Sequence, residues 1–380
     1  MTESLRTFFI PFLQAAWMST CFLGAMRFKL ISRAGVRTVQ TAVLKKIIRE
    51  NKDTVFGKKH NFHKIFDSRG FKLRVPVSDY DDLKPFVIRA SEGEKCVLSS
   101  DPIFMFERSS GSSSPSKLIP WTKKLRDSFN KGIDPWMWDL YSRRLNLWGG
   151  KAYWVISPAA SDKKNTPSGI PIGFEDDAAY LGGWSQKFVD ELMAVPSWVK
   201  FLSNIDSFRY VSLLFLLRAQ DLRLISLWNP TFLPLLLQNL FEWREQLGND
   251  LHHGTCFPPN LRNGLSFSNE KEILDKFYRP ANPMPIRAKE FLSICNCGNK
   301  SHATGLGEKL WPHLDLISTW TKGEARFCLK DLKEWFPNVR IQGKGLLSTE
   351  SIVTIPIEEA VAPVLAASSG FFEFQEGIEG

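Results

Sequence analysis

With 380 residues, 43% hydrophobic and 23% charged, the chain has a globular composition and is long enough for more than one core or one large multi-sheet domain, which excludes a disordered chain. A formal net charge of +9 suits anionic ligands or a membrane surface. The basic residues stand in short clusters such as Lys45-Lys46, Lys58-Lys59-His60, Lys123-Lys124 and Arg143-Arg144, interleaved with acids as on a solvated surface, and no nucleic-acid partner is expected.

Phe8 to Met26 carries no formal charge, lies between Arg6 and the pair Arg27 and Lys29, and approaches the length of a membrane span. Pro11, Gln14, Ser19, Thr20 and Gly24 dilute it, and no small-x-small cleavage site stands near Gly24-Ala25-Met26. A buried helix is the preferred reading, ahead of membrane association and then a signal peptide. From Thr38 to Gly57, Val39, Val43, Leu44, Ile47 and Ile48 recur at spacings of three and four and predict a helix that stops at Gly57. Ser78 reads as the N-cap of a short helix, with Asp79, Asp81 and Asp82 near its positive end as capping and solvating groups.

Two apolar runs then flank a loop of hydroxyls, from Phe104 through Ser109-Ser110-Gly111-Ser112-Ser113-Ser114-Pro115-Ser116-Lys117 to Trp121. The serines offer hydroxyl donors, Gly111 allows close backbone approach and Lys117 brings a mobile positive charge, which together suit a polyanion such as a nucleoside triphosphate. Counting from Gly111, Ser116 replaces the second Gly of a P-loop and Leu118 its Ser/Thr, and Pro120 forbids a long helix after the lysine. The expected form is strand, loop, strand, against the bland alternative of a Ser-rich linker.

Asp127 to Trp148 reads as a helix punctuated by Pro135, Ala152 to Pro158 as a strand and Ser161 to Ser168 as a surface loop. The glycines and aromatics between Gly169 and Trp184 fit a pocket lining and simple loop packing equally. Phe208 to Leu217 and Phe232 to Trp243 are buried helices around a strand at Leu222 to Trp228, closed by Asn229-Pro230-Thr231 as a cap; this alternation gives the α/β class. Cys295-x-Cys297 with His302 lacks a second ligand pair, and His252, His253 and His313 do not complete one, so structural thiols are expected. All six cysteines are sparse for the length, which points to reduced thiols and a cytoplasmic protein.

Near the end, strands are expected at Leu314 to Trp320 and Val339 to Gln342, a turn at Thr321 to Glu324 and a helix at Leu329 to Phe336. Gly343 and Gly345 then present Leu346-Leu347-Ser348-Thr349-Glu350, in which Glu350 offers a hard oxygen for Mg²⁺ and Ser348 and Thr349 offer hydroxyls to a phosphate or adenylate.

Glu107 to Lys117 resembles the first nucleotide motif of the auxin-responsive-promoter family of acyl-acid amido synthetases, which belong with the acyl-adenylate-forming, firefly-luciferase-like enzymes, and Ile341 to Glu350 resembles the second motif in the family's bacterial branch. The resemblance implies an N-terminal large domain of sheets flanked by helices, ATP and Mg²⁺ as cofactors, and a small carboxylic acid and an amine such as an amino acid as substrates. It implies that Ser109, Ser110, Gly111, Ser112, Ser113, Ser114 and Lys117 hold phosphates, Glu350 holds Mg²⁺, Ser348 and Thr349 seat the adenylate, and Thr321 and Gly323 lie at the acyl or adenosine pocket. Two departures stand out. Leu346 occupies the place of an aromatic residue that packs on adenine in plant members, and neither the family's third motif nor its small C-terminal domain is recognisable after Glu350. Residues 1–380 are therefore expected to form an incomplete large domain with weak ATP turnover. A non-catalytic binding or interaction protein retaining that fold is the alternative, and a generic NTPase is disfavoured by the failed P-loop pattern.

Overall fold

The apolar runs in the middle of the chain become a parallel sheet covered on both faces, the arrangement that strands without polar alternation require. The computed structural model describes residues 3–109, 117–155, 165–173, 191–262, 268–298 and 303–375. Its longer strands are β1 (Ile103–Arg108), β2 (Leu118–Thr122), β3 (Lys151–Trp154), β4 (Leu222–Ser226), β5 (Leu316–Thr319) and β6 (Arg340–Gly343). Short ones follow: β7 (Leu347–Ser348), β8 (Ser351–Ile352), β9 (Thr354–Ile355) and β10 (Val364–Leu365). Strands β3-β4-β5-β6 are adjacent in that order and all parallel, so crossovers such as the helices Ile205–Arg218 and Leu329–Trp335 join them. The fold is α/β, as the sequence predicts.

The chain divides into two units. The first comprises Met1–Trp17, Tyr141–Asp162 and Gly183–Lys344 and holds the parallel sheet. Its core packs Leu213, Leu217, Leu233 and Leu237 of the helices Ile205–Arg218 and Phe232–Glu242 with Leu222 and Ile225 of β4 and Ile317 of β5. Both helices are thus core helices around a strand, as expected. Thr231 precedes the second of them without a side-chain cap, and Asn229 instead accepts from the Thr231 backbone N–H at 3.0 Å.

The second unit comprises Met18–Leu140, Lys163–Gly182 and Gly345–Gly380. It contains the antiparallel pairs β1/β2, β7/β8 and β9/β10. Gln40 Nε2 donates to the carbonyls of Ala367 at 2.7 Å and Gly370 at 2.9 Å, tying its early and late segments together. In the same unit Cys21 Sγ lies 3.9 Å from Asp134 Oδ1. Burial pushes the Asp134 carboxyl up to about 6 against the opposing pull of Arg27, and burial with the Asp134 charge raises the Cys21 thiol.

Several local expectations need correction. The predicted helix to Gly57 is two helices, Val36–Asn51 and Val55–Lys59. Gly57 lies inside the second, where its N–H meets the capping hydroxyl of Thr54 at 2.9 Å, so it does not stop the first. Asp79, not Ser78, is the N-cap of Tyr80–Ser91, forming a capping box with Asp82; the Ser78 hydroxyl turns back to Pro76 O at 3.1 Å. The helix around Pro135 spans Lys123–Arg143 and gives way to a short 3₁₀ turn at Leu145–Leu147. The N-terminal helix runs Glu3–Arg33, and from Phe9 onward its buried side is formed by Ile10, Gln14, Trp17, Met18 and Cys21. Within the first unit, Gln14 donates to the carbonyls of Leu147 and Gly150 and accepts from the Gly149 N–H at 2.8 Å.

Candidate active site

The first candidate loop springs from a hairpin whose strands have clear reasons to pair. Met105 and Phe106 of β1 and Ile119 and Trp121 of β2 are buried, Glu107 pairs with Ile119, and Pro120 is accommodated because β2 pairs on one side only. The Ser109 N–H donates to Lys117 O at 2.9 Å and closes the hairpin below the loop. Tyr80 clamps the same point: Leu118 N–H donates to its hydroxyl at 2.9 Å, while the Lys117 Nζ stands 5.4 Å from its ring centroid. Ser109 and Lys117 thus sit at the two feet of the loop. Ser110, Gly111, Ser112, Ser113 and Ser114 lie outside the described residues, as do the residues 174–184 considered as a pocket lining.

The second candidate block forms the hairpin β7/β8, with Leu347 opposite Ile352 and Ser348 opposite Ser351. Thr349 and Glu350 make its turn; Ser348 and Glu350 are exposed. The turn is reached through Gly345, where a Cβ would overlap the Thr354 carbonyl, so the backbone approach demands glycine. Leu346 fastens this approach: its N–H donates to Thr354 Oγ1 at 2.7 Å and its carbonyl accepts from the Val353 N–H at 2.9 Å.

The two blocks, far apart in sequence, share one foundation within the second unit. A single core cluster joins Met105, Ile119 and Trp121 of the first hairpin to Ile352 of the second, with Leu347 and Tyr80 packed against it. The feet of the loop and the turn bearing Glu350 are therefore anchored in the same packed core. Thr321 and Gly323 belong to the first unit, where Thr321 Oγ1 fills the space that a Cβ on Gly343 would need and Gly323 opens the 3₁₀ turn Gly323–Cys328.

Sequence reasoning missed a constellation at the carboxyl ends of the parallel strands. Beyond the strands, hydrogen bonds continue from Trp320 N–H to Trp228 O at 3.0 Å and from Lys344 N–H to Thr319 O at 2.8 Å. From the end of β6 the Lys344 side chain reaches past β5 to β4, where its Nζ donates to Ser226 Oγ at 2.8 Å and lies 3.8 Å from the Trp228 ring centroid. Burial pushes this ammonium down to about 7. Trp228 and Trp320 are exposed, with ring centroids 5.7 Å apart. The legible signal was positional: a tryptophan follows β4 and β5 by one or two residues, and Lys344 stands between the two glycines of the second block.

Among the described residues no cluster of three or more His, Cys, Asp or Glu side chains has metal-site geometry. Cys295 is buried and Cys297 exposed, and burial raises the Cys295 thiol to about 12. An exposed carboxylate such as Glu350 has the chemistry that Mg²⁺ takes, one or two protein oxygens alongside substrate phosphates.

Comparisons with known proteins bear on the family and the fold. The chain is 27% identical over 374 residues to the indole-3-acetic acid-amido synthetase GH3.3 of Arabidopsis thaliana, covering 94% of this chain and 60% of that protein. It is 23% identical over 360 residues to the 4-substituted benzoates-glutamate ligase GH3.12 of Arabidopsis thaliana, covering 90% and 59%. Among solved structures it resembles the AtGH3.15 acyl acid amido synthetase in complex with 2,4-DB, with a TM-score of 0.75, 19% identity and coverage of 92% of this chain and 60% of that one. The chain spans about three fifths of the length of these relatives. The model of the GH3 family N-terminal domain matches residues 27–341, which is most of the sequence and includes the whole first hairpin, and the chain therefore belongs to the GH3 family.

Proposed function

We propose that the protein activates a small carboxylic acid with ATP and passes the acyl group to an amine; in support, two relatives are named an indole-3-acetic acid-amido synthetase and a 4-substituted benzoates-glutamate ligase. The observation that carries this reading is the common core beneath the two motif-bearing hairpins. In the first step a carboxylate oxygen bonds to the α-phosphorus of ATP as the bond to pyrophosphate breaks. In the second an amine nitrogen bonds to the acyl carbon, the bond to AMP breaks and the amine gives up a proton. Such transfers call for orientation and charge neutralisation rather than a protein nucleophile.

Ser109, Ser110, Gly111, Ser112, Ser113, Ser114 and Lys117 hold the phosphates in this reading, and Ser348 and Thr349 seat the adenylate. Glu350 holds Mg²⁺, which supplies charge neutralisation when bound. Thr321 and Gly323 border the acyl or adenosine pocket, and the exposed Leu346 offers apolar contact where plant members place an aromatic ring. Within the first unit, Lys344 laces the end of β6 to β4. The leucine at 346 favours the bacterial branch of the family. Six free thiols favour the cytoplasm.

Carboxylate-dependent exchange of labelled pyrophosphate into ATP tests the proposal. The full chain is expected to catalyse exchange with at least one acid from a panel of aryl and alkyl acids, and Lys117→Ala and Glu350→Ala are expected to lose it while remaining folded. A folded full chain that exchanges with no acid sinks the catalytic reading in favour of a binding protein on the same fold.

A further inference from the structure

The outward face of the N-terminal helix carries a ridge of exposed side chains outside the proposed chemistry. Phe12, Ala16, Ser19, Leu23, Met26 and Leu30 follow one another at spacings of three and four, so they form one stripe along Glu3–Arg33. Phe12 is 63% exposed and Leu23 and Leu30 are each 59% exposed. At the rise of an α-helix the stripe is about 27 Å long. The charge pattern around it is one-sided. Between Glu3 and Glu50 the sequence contains no acidic residue and eight basic ones. Arg27, Lys29 and Arg33 flank the ridge, and Arg37, Lys45, Lys46 and Arg49 are exposed on the next helix, Val36–Asn51. Asp134 offsets part of the Arg27 charge, and Glu50 lies 4.0 Å from Lys46, leaving the balance strongly positive.

By length and composition Phe9–Arg33 is apolar enough to cross a bilayer, yet a span is the wrong geometry for it. Its inner side is committed to protein: Ile10, Trp17, Met18 and Cys21 are buried, and both ends of the buried Gln14 amide are hydrogen-bonded to the backbone at Leu147–Gly150. A helix with one face in the fold and an apolar ridge with basic flanks on the other is built to lie in an interface. We propose that this face docks the protein peripherally on an anionic membrane, with the ridge entering the headgroup boundary and the basic residues facing acidic lipids. A lipophilic acid partitioning into that membrane would then meet the protein at its surface; the docking itself does not depend on the proposed reaction.

Co-sedimentation of the full chain with vesicles tests this, comparing phosphatidylcholine alone with phosphatidylcholine containing about 30% phosphatidylglycerol. Binding is expected to the anionic vesicles, at least about tenfold weaker to the neutral ones, and to fall at least about tenfold on raising NaCl to about 0.5 M. Lys29→Gln should weaken it about fivefold. Leu23→Glu with Leu30→Glu should abolish it while circular dichroism stays unchanged, and Ile286→Glu, at another exposed apolar position, should leave it intact. The proposal is overturned by no difference between the two vesicle types, by binding that survives high salt with protease protection on the far side, as a span would give, or by a salt-insensitive dimer in light scattering that the same two glutamates dissolve.

Discussion

Replacing Lys344 with methionine should change how stability depends on pH, in a window set by the structure. Burial disfavours the ammonium and lowers its folded-state value to about 7 from an unfolded value of 10.5. The Trp228 face acts the other way, but a cation over an indole is worth about 0.5–2 kcal/mol, less than the shift of more than three pH units represents at about 1.4 kcal/mol per unit, so burial prevails. Between these two values the unfolded chain binds the proton and the folded one does not, so stability rises with pH through the window and its slope approaches about 1.4 kcal/mol per unit. Methionine keeps the length and apolar stem and removes the titration. Guanidinium chloride unfolding followed by tryptophan fluorescence, from about pH 7 to about pH 9.5, should show the wild type gaining up to about 3 kcal/mol relative to Lys344→Met. Parallel curves for the two proteins would refute the buried, strand-lacing role assigned to this side chain.

Other expectations follow from particular contacts. Gly345→Ala should lower the denaturation midpoint by the equivalent of about 2 kcal/mol and depress pyrophosphate exchange, because its Cβ collides with the Thr354 carbonyl. Tyr80→Phe should cost about 1 kcal/mol of stability and raise the KM for ATP, since it removes the hydroxyl that clamps the foot of the serine loop. Glu350→Ala, at an exposed turn, should move stability by less than about 0.5 kcal/mol, so any loss of exchange would be chemical rather than structural. Asp134 has a raised folded-state value of about 6, so its stabilising contribution is present below the unfolded value and is lost as pH rises through 6. Asp134→Asn should accordingly raise the melting temperature by about 2 °C at about pH 8 and leave it unchanged near pH 4.

Elements whose signal is local were the most legible in the sequence. The apolar runs at 208–217, 222–228 and 232–243 announced helix, strand and helix, because their lengths and the Asn229-Pro230 break separate two long runs from a short one. The hairpin around the serine loop was equally clear from Pro120, which rules out a helix there. Caps were harder, since Ser78 and Asp79 are adjacent and equally suited to the position; the choice fell to Asp79 through the reciprocal bond from Asp82, a property of the folded backbone. Lys344 was invisible as a site residue because its significance lies in Ser226 and Trp228, which parallel pairing alone brings within reach. The same holds for the shared foundation of the two motifs: Ile119 and Ile352 join one core only after a long stretch of intervening chain has been made.

The segmented make-up of the second unit governs how it can be made in the cell. Its core needs Ile352, Ile355 and Ala366, and its opening helices need the carbonyls of Ala367 and Gly370, yet Met18–Leu140 emerges from the ribosome first. At about 5–20 residues per second, the nascent β1/β2 hairpin waits on the order of 10–50 s for the closing residues to be synthesised. During that interval Met105, Ile119 and Trp121 lack part of their core, which makes the half-made polypeptide a client for chaperones that shield apolar surface. Shortening the chain before Ile352 would make that exposure permanent and turn a transient folding intermediate into an aggregation-prone product.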